Sequence, residues 1–313
     1  MDVVPETAIS EVDGERNRIV VRGRNLADLA GRISYEEMCA LLWGSAAPAL
    51  GEDRVRAARA LPREGDLKSA LASLTNEDPA FLTAAVAVAA ARHGQSIEPD
   101  PALTHAADFL RMATGSADPA RASALETYFV AMAENGLNTS TYVARIVAST
   151  GASAPSAMLA AFCALEGPLH GGAPGLVLDA LESVGSADRA SAWVRSQLEA
   201  GKRIPGLGHR IFTGSDPRAT ILEAASAQLP SARLLPIARA VRDSANARRE
   251  KPLYANVELF TAVLLEAVGL SRELFTATFA AARVAGWCAH IAEQRATGKL
   301  IQPNARYTGP PSL

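Results

Sequence analysis

The chain has 313 residues, of which 49% are hydrophobic and 20% are charged, and its formal net charge is −2. This composition is typical of a soluble globular protein whose length allows two domains. The charge balance does not favour a nucleic-acid or anionic-membrane partner, and no apolar run of about 18 residues predicts a membrane span.

The N-terminal sequence MDVVPETAIS has neither the charged segment nor the apolar core of a signal peptide. Three cysteines, Cys39, Cys163 and Cys288, are widely separated and lie among apolar neighbours. This spacing predicts buried free thiols in a reducing cytoplasm, with neither a disulfide framework nor a metal site.

The first predicted element is a β-hairpin. Residues 7–12 and 18–22 alternate weakly between apolar and polar side chains on either side of Asp13-Gly14. Ser34 then begins the sequence S-Y-E-E, a capping box that predicts the start of a helix.

The remainder of the chain is predicted to be helical, because apolar residues recur at helical spacing and alanine is abundant. The predicted helices cover 79–92, 120–134, 156–165, 174–184, 188–200, 217–229, 234–247, 256–269 and 274–297. His93 and His105 have no obvious partners in the sequence and are interpreted as surface or helix-cap histidines.

Residues 204–219, IPGLGHRIFTGSDPRA, combine a glycine-rich turn with the start of a helix. Glycines in such a turn let a ligand approach the backbone closely. His209 follows the glycines, Asp216 is a natural N-cap, and Arg218 projects from the first helical turn. A histidine near an arginine suits a small carboxylate substrate with a polarised carbonyl group.

Two other segments complete a pattern. GPLHGGAPG places His170 among glycines, and ANVELFTAVLLEAVG places Glu258 two residues after Asn256. With residues 204–219, they resemble the active-site segments of the citrate synthase family in order and spacing. The resemblance also includes 7–30, 134–150, 275–294 and 299–310, and so covers nearly the whole chain apart from the region near 45–100.

The resemblance implies a mainly α, citrate-synthase-like two-domain fold with a short N-terminal β-hairpin. Residues 1–171 and 270–313 would form a large helical domain, and residues 172–269 a small mobile one. The substrate cleft would lie between the domains, in a homodimer whose subunits share the site.

The implied reaction joins acetyl-CoA, or another short acyl-CoA, to a 2-oxo acid and releases CoA. Such an acyltransferase needs a base for the proton next to the thioester and a donor for the enolate oxygen. It needs arginines for the carboxylates of the acceptor. Acyl-CoA is a substrate here, and neither a tightly bound cofactor nor a metal is implied.

The resemblance assigns five roles. His170 would hydrogen-bond the thioester oxygen, and His209 would polarise the ketone of the oxo acid. Glu258 would be the base, at a position where the family usually has aspartate. Arg218 and Arg283 would bind carboxylates.

The chain departs from the family pattern at further positions. Asn135 replaces a substrate-binding histidine, and Gln302 replaces an arginine that reaches the partner subunit's site. Thr213 replaces a basic residue often used near the CoA phosphates. Asn135 and Gln302 keep hydrogen-bonding ability without charge and remain candidates for substrate binding. The candidates for CoA binding are Pro205, Gly206, Leu207, Gly208 and Arg210.

The sequence is compatible with three hypotheses. The first is condensation with an acceptor that need not be oxaloacetate, and the missing charges favour an acceptor with one carboxylate. The second is the reverse reaction, cleavage of a carbon–carbon bond in a related CoA thioester or hydroxy acid. The third is a ligand-binding homologue that has lost turnover. Arg283 could also form a structural salt bridge, and Glu258 could be an ordinary first-turn glutamate.

Overall fold

The N-terminal hairpin is present and carries one more strand than predicted. The computed structural model describes residues 6–92, 97–247 and 251–310. Strands β1 (Ser10–Asp13) and β2 (Arg18–Val21) pair antiparallel, and β3 (Arg24–Asn25) pairs antiparallel with β2. The strands are shorter than the weak alternation suggested.

The rest of the described chain is helical, which confirms the mainly α fold class. The N-terminal half contains α1 (Leu26–Leu29), α2 (Tyr35–Trp43), α3 (Leu50–Ala60), α4 (Leu67–Ala72), α5 (Pro79–Ala91), α6 (His105–Thr114), α7 (Pro119–Met132), α8 (Thr139–Ser149) and α9 (Ala154–Leu165). The C-terminal half contains α10 (Ala173–Val184), α11 (Ala190–Glu199), α12 (Pro217–Ser226), α13 (Leu235–Asn246), α14 (Val257–Ala267) and α15 (Phe275–Thr297). Among the described residues, no helix is both long enough and apolar enough to cross a membrane.

Local sequence signals set several helix starts. The Ser34 hydroxyl accepts from Glu37 N at 3.1 Å, and the Glu37 carboxylate accepts from Ser34 N at 2.7 Å. This reciprocal pair is the predicted capping box, and it satisfies two backbone donors that the first turn of a helix leaves free. Asp216 likewise caps α12 by accepting from Arg218 N at 3.0 Å.

Helix α15 is buried along most of its length and packs against α2, α5, α7, α8 and α9. Small residues allow this close packing. A Cβ on Gly286 would lie only 2.3 Å from Ala133 O, so the end of α7 meets α15 where there is no side chain. The contact places the segment after α7, with Asn135, beside the polar residues of α15.

One interpretation from the sequence is wrong. His105 is fully buried, not a surface histidine, and its ring stacks on Tyr35 with the centroids 5.2 Å apart. Its Nδ1 lies 3.4 Å from Arg54 Nη1. Burial, reinforced by the Arg54 charge, holds the pKa of His105 well below its usual value. These partners come from distant helices, so local sequence does not reveal them. His93 lies outside the described residues.

The cysteine prediction holds for two of the three residues. Cys39 and Cys288 are buried free thiols, whereas Cys163 is exposed on α9. Helix α9 is apolar on nearly all sides, so the neighbours of Cys163 in the sequence do not show which side of the helix is buried.

Asp108 is the counter-ion of the buried Arg54. Its carboxylate accepts from Arg54 Nε at 2.8 Å, and both residues are fully buried. Asp108→Ala would leave the Arg54 cation buried without its counter-ion, so we expect the free energy of unfolding to fall by about 3–5 kcal/mol. Urea denaturation measures the change.

The matched control is Asp28→Ala, which removes an exposed partner of Arg32 at 3.6 Å. Exposed pairs of this kind contribute less than about 1 kcal/mol. A loss for Asp108→Ala as small as that of the control would contradict the role given to the buried pair.

Candidate active site

The glycine-rich turn is held by backbone pairing with the segment before α14. We call residues 205–216 the site loop. Gly208 N donates to Tyr254 O at 2.8 Å, and Asn256 N donates to Gly206 O at 3.0 Å. Gly206 and Gly208 have φ of +82° and +86°, a region that glycine enters without strain. The pairing joins the loop that carries His209 to the helix that carries Glu258.

The tautomer of His209 is set by the backbone. Its Nδ1 accepts from Ile211 N at 3.0 Å and from Phe212 N at 3.1 Å. A nitrogen that accepts two hydrogen bonds carries no proton, so the proton of neutral His209 is on Nε2. Burial lowers the pKa of His209, although the nearby Asp216 charge opposes the shift. His209 is therefore a neutral N–H donor.

Arg218 is bound to its own helix cap. Its Nε and Nη2 donate to the two carboxylate oxygens of Asp216 at 3.1 and 2.8 Å, and both side chains are buried. The sequence indicated Asp216 only as a cap and Arg218 only as a carboxylate ligand. The sequence D-P-R at the helix start places the two side chains close together, which indicates such a bidentate pair.

His170 lies in the turn between α9 and α10. Its Nε2 is 3.0 Å from Ser140 Oγ, and its ring meets the edge of Phe279 with the centroids 6.0 Å apart. Burial lowers the pKa of His170 to about 4, and the charges of Arg283 and Arg218 add to the shift. The imidazole is therefore neutral near pH 7, with burial as the largest cause of the shift.

Ser140 is a site residue that the sequence analysis missed. Besides its contact with His170, its hydroxyl donates to Asn138 Oδ1 at 2.9 Å and accepts from Trp287 Nε1 at 3.3 Å. With Nε2 of His170 occupied by this hydroxyl, Nδ1 is the ring nitrogen left for a ligand. Ser140 lies in the segment ENGLNTST, which is part of the family resemblance. Its contact with His170 is a tertiary contact that the local sequence does not reveal.

Glu258 stands in the first turn of α14, where its N–H donates to the Asn256 cap at 3.1 Å. Its Oε2 is buried without a hydrogen-bond partner among the described residues. Burial raises the pKa of Glu258 above the usual glutamate value. A carboxylate in this state is a stronger proton acceptor than a solvated one.

Arg283 is a buried cation whose guanidinium is only partly satisfied. Its Nε donates to Met132 O at 2.6 Å, and its guanidinium carbon Cζ lies 5.0 Å from the centre of the Phe279 ring. Its Nη1 and Nη2 have no hydrogen-bond partner within the described chain. Burial lowers the pKa of Arg283 to about 10. Two free donors on a buried cation suit a carboxylate ligand.

Other buried polar atoms also lack partners in the part of the chain that the structure describes. Among them are Glu134 Oε2, Asn135 Oδ1 and the Tyr128 hydroxyl. Tyr128 belongs to the apolar stripe of α7, and its ring is buried there. Burial raises the pKa of its hydroxyl, and the charges of Arg283 and Arg218, which lie within electrostatic range, oppose that rise. The sequence offered no sign of this polar end.

The predicted residues converge around Arg218. Burial is the largest influence on the pKa of His170, His209 and Glu258. The charge of Arg218 is a further influence on all three, so these side chains lie within electrostatic range of it. The same holds for Arg283, so two neutral histidines, one carboxylate and two arginines lie in one region of the molecule.

Other predicted residues are not brought to this region by the single chain. Gln302 is exposed on the extended segment after α15, and Arg210 is exposed on the site loop. Pro205 and Leu207 are half-buried, and Leu207 forms the antiparallel bridge with Ala255. CoA binding by these loop residues and the contact of Gln302 with a partner subunit stay predictions, as do the domain boundaries.

Comparison with known proteins establishes the family. The family model described as "Citrate synthase, C-terminal domain" matches residues 2–79 and 79–304. The citrate synthase of Haloferax volcanii is 32% identical over 366 aligned positions, covering 99% of this chain and 95% of that protein. The chain belongs to the citrate synthase family.

Two other relatives agree. "Putative citrate synthase 2" of Mycobacterium tuberculosis H37Rv is 40% identical over 216 residues, which is 67% of this chain and 58% of the relative's length. The crystal structure of citrate synthase from Thermotoga maritima MSB8 superposes with a TM-score of 0.85 at 31% identity, covering 100% of this chain and 96% of that one. These matches confirm the resemblance drawn from the motifs.

The neutral state of His170 can be measured directly. Because its pKa is lowered from 6.5 to about 4, we expect its imidazole to stay unprotonated from pH 8 down to pH 5. The ring-proton chemical shifts in an NMR titration report the midpoint, and the His170→Gln spectrum assigns the signals. A midpoint near 6.5 would show that the ring is not desolvated as described.

Proposed function

We propose that the chain condenses acetyl-CoA, or another short acyl-CoA, with a 2-oxo acid and releases CoA. The observation that supports it most directly is the unpaired Oε2 of Glu258 in a region with two neutral histidines. A carboxylate base, a donor for an enolate and a donor for a ketone are the three groups that this reaction needs.

The proton inventory is consistent with this assignment. The Glu258 carboxylate takes a proton from the carbon next to the thioester, and its raised pKa brings it closer to that weak carbon acid. His170 donates a hydrogen bond from Nδ1 to the enolate oxygen, which requires the Ser140 hydroxyl to turn its proton from Asn138 Oδ1 to Nε2 of His170. His209 donates from Nε2 to the ketone under attack, because its Nδ1 is already an acceptor.

The state of the arginines supports an acceptor with one carboxylate. Arg218 already pairs with Asp216 through two nitrogens, so much of its charge is compensated within the protein. Arg283 retains two free donors. A second carboxylate would meet Asn135 or Gln302, which can hydrogen-bond but cannot neutralise it. In a closed site, that unpaired charge costs about 2–5 kcal/mol.

We also propose the assembly that the family resemblance implies. The chain acts in the cytoplasm as a homodimer, and residues 172–269 move against the remainder to close the site. The segment after α15 supports a contact with a second copy, since Leu300 and Tyr307 are 59% and 75% exposed there. Gln302 lies between them on the same exposed segment.

The base can be tested without knowing the acceptor. Glu258→Gln should slow exchange of the acetyl-CoA methyl protons with heavy water by at least about 100-fold, since the amide cannot take the proton. NMR of the methyl signal measures the rate. Glu266→Gln, at the other end of α14, is the control and should exchange normally. Absence of exchange in the wild type, with acetyl-CoA still stabilising the fold, would indicate a binding protein instead.

The acceptor preference needs a substrate panel. We expect kcat/KM to be higher for 2-oxo monoacids such as pyruvate than for oxaloacetate, with free CoA release as the readout. The double variant Gln302→Arg, Asn135→His restores two basic groups and should shift the ratio toward oxaloacetate by at least about tenfold.

If the wild type uses oxaloacetate better than every monoacid, the argument from missing charge is wrong. Cleavage of a hydroxy acid thioester in place of condensation would point to the reverse direction at the same groups.

A further inference from the structure

The turn of the N-terminal hairpin contacts the site loop. We call residues 13–17 the hairpin tip. Gly14 O accepts from both Thr213 N and Thr213 Oγ1 at 3.1 Å. Asn17 Oδ1 accepts from Gly214 N at 2.7 Å. Three hydrogen bonds thus join two segments that are almost 200 residues apart in the chain.

The two segments approach so closely that side chains are excluded between them. A Cβ on Gly14 would lie 2.3 Å from Ile211 O, and a Cβ on Gly214 would lie 2.7 Å from Asn17 Nδ2. Contact at this distance fixes the path of the loop backbone, since neither side can shift inward.

The backbone held in this way is the part of the loop that sets the site. Ile211 N, next to the contact, is one of the two donors that fix the tautomer of His209. Asp216, two residues beyond Gly214, holds Arg218. Moving residues 211–214 would therefore disturb the donor that faces the ketone and the arginine beside it.

Asn17 has the properties that this position requires. Its φ is +51°, a left-handed conformation that asparagine tolerates better than most residues with a side chain. Its amide oxygen is the acceptor for Gly214 N. Thr213, where the family often has a basic residue near the CoA phosphates, uses its hydroxyl for the hairpin tip instead.

We propose that Asn17 is a positioning residue that acts through the site loop to orient His209. The structural part of this inference stands on the contacts alone, and its effect on turnover rests on the proposed function. The N-terminal hairpin then contributes to the geometry of the site.

The test compares two substitutions at one position. Asn17→Gly keeps the left-handed backbone without strain and removes the acceptor, whereas Asn17→Asp keeps an acceptor oxygen at the same reach. Glu15→Ala, an exposed change in the same turn, is the control. All three should unfold within about 2 °C of the wild type, since the contact lies at the surface.

Two readouts do not depend on activity. In Asn17→Gly, the Gly214 amide should exchange with heavy water about tenfold faster, as expected for one lost hydrogen bond. The imidazole ¹⁵N shifts of His209 should change from a single Nε2–H tautomer to a mixture. Asn17→Asp should restore both, and Glu15→Ala should leave both unchanged.

Where the wild type turns over, Asn17→Gly should raise KM for the 2-oxo acid by about tenfold, with a smaller effect on KM for acyl-CoA. An unchanged Gly214 exchange rate would show that the contact does not exist in solution. Faster exchange with an unaltered His209 tautomer would show that the contact is only structural. Both results overturn the inference, and a wild type without condensation overturns the proposed function alone.

Discussion

The short backbone pairing between Gly206–Gly208 and Tyr254–Asn256 is the constraint on which the site depends. It joins the loop that presents His209 to the start of the helix that presents Glu258. These two side chains are about 50 residues apart in sequence, and neither the loop nor the helix end could fix their separation alone. Both glycines have positive φ for this purpose, so the glycine-rich character of the turn reflects backbone geometry as well as room for a ligand.

Loss of contact with water shifts the pKa of each group, and the direction of the shift depends on the kind of group. Burial holds the imidazoles of His170 and His209 neutral, and it makes the Glu258 carboxylate more basic. Hydrogen bonds then decide which ring nitrogen of each histidine is already occupied. Ser140 occupies one nitrogen of His170, and two backbone donors occupy one nitrogen of His209. Burial sets the charge state of each group, and the hydrogen bonds determine which ring nitrogen remains for a ligand.

Features coded by neighbouring residues could be predicted from the sequence, and features made by distant residues could not. The hairpin, the capping box at Ser34 and most helices depend on spacing within a few residues, and the ordered motifs were enough to identify the family. The partners of His105, the contact of Ser140 with His170 and the hairpin tip on the site loop join segments far apart in the chain. Composition and periodicity carry no information about such pairs.

Arg283 links the stability of the fold to binding at the site. It is a buried cation with two unsatisfied nitrogens, and the nearby buried Glu134 carboxylate attracts it without accepting a hydrogen bond from either nitrogen. Its desolvation is therefore only partly compensated, and an anion that accepted hydrogen bonds from these nitrogens would raise the free energy of unfolding. The arrangement that leaves Arg283 able to bind an anion is thus also the arrangement that lowers the stability of the unliganded fold.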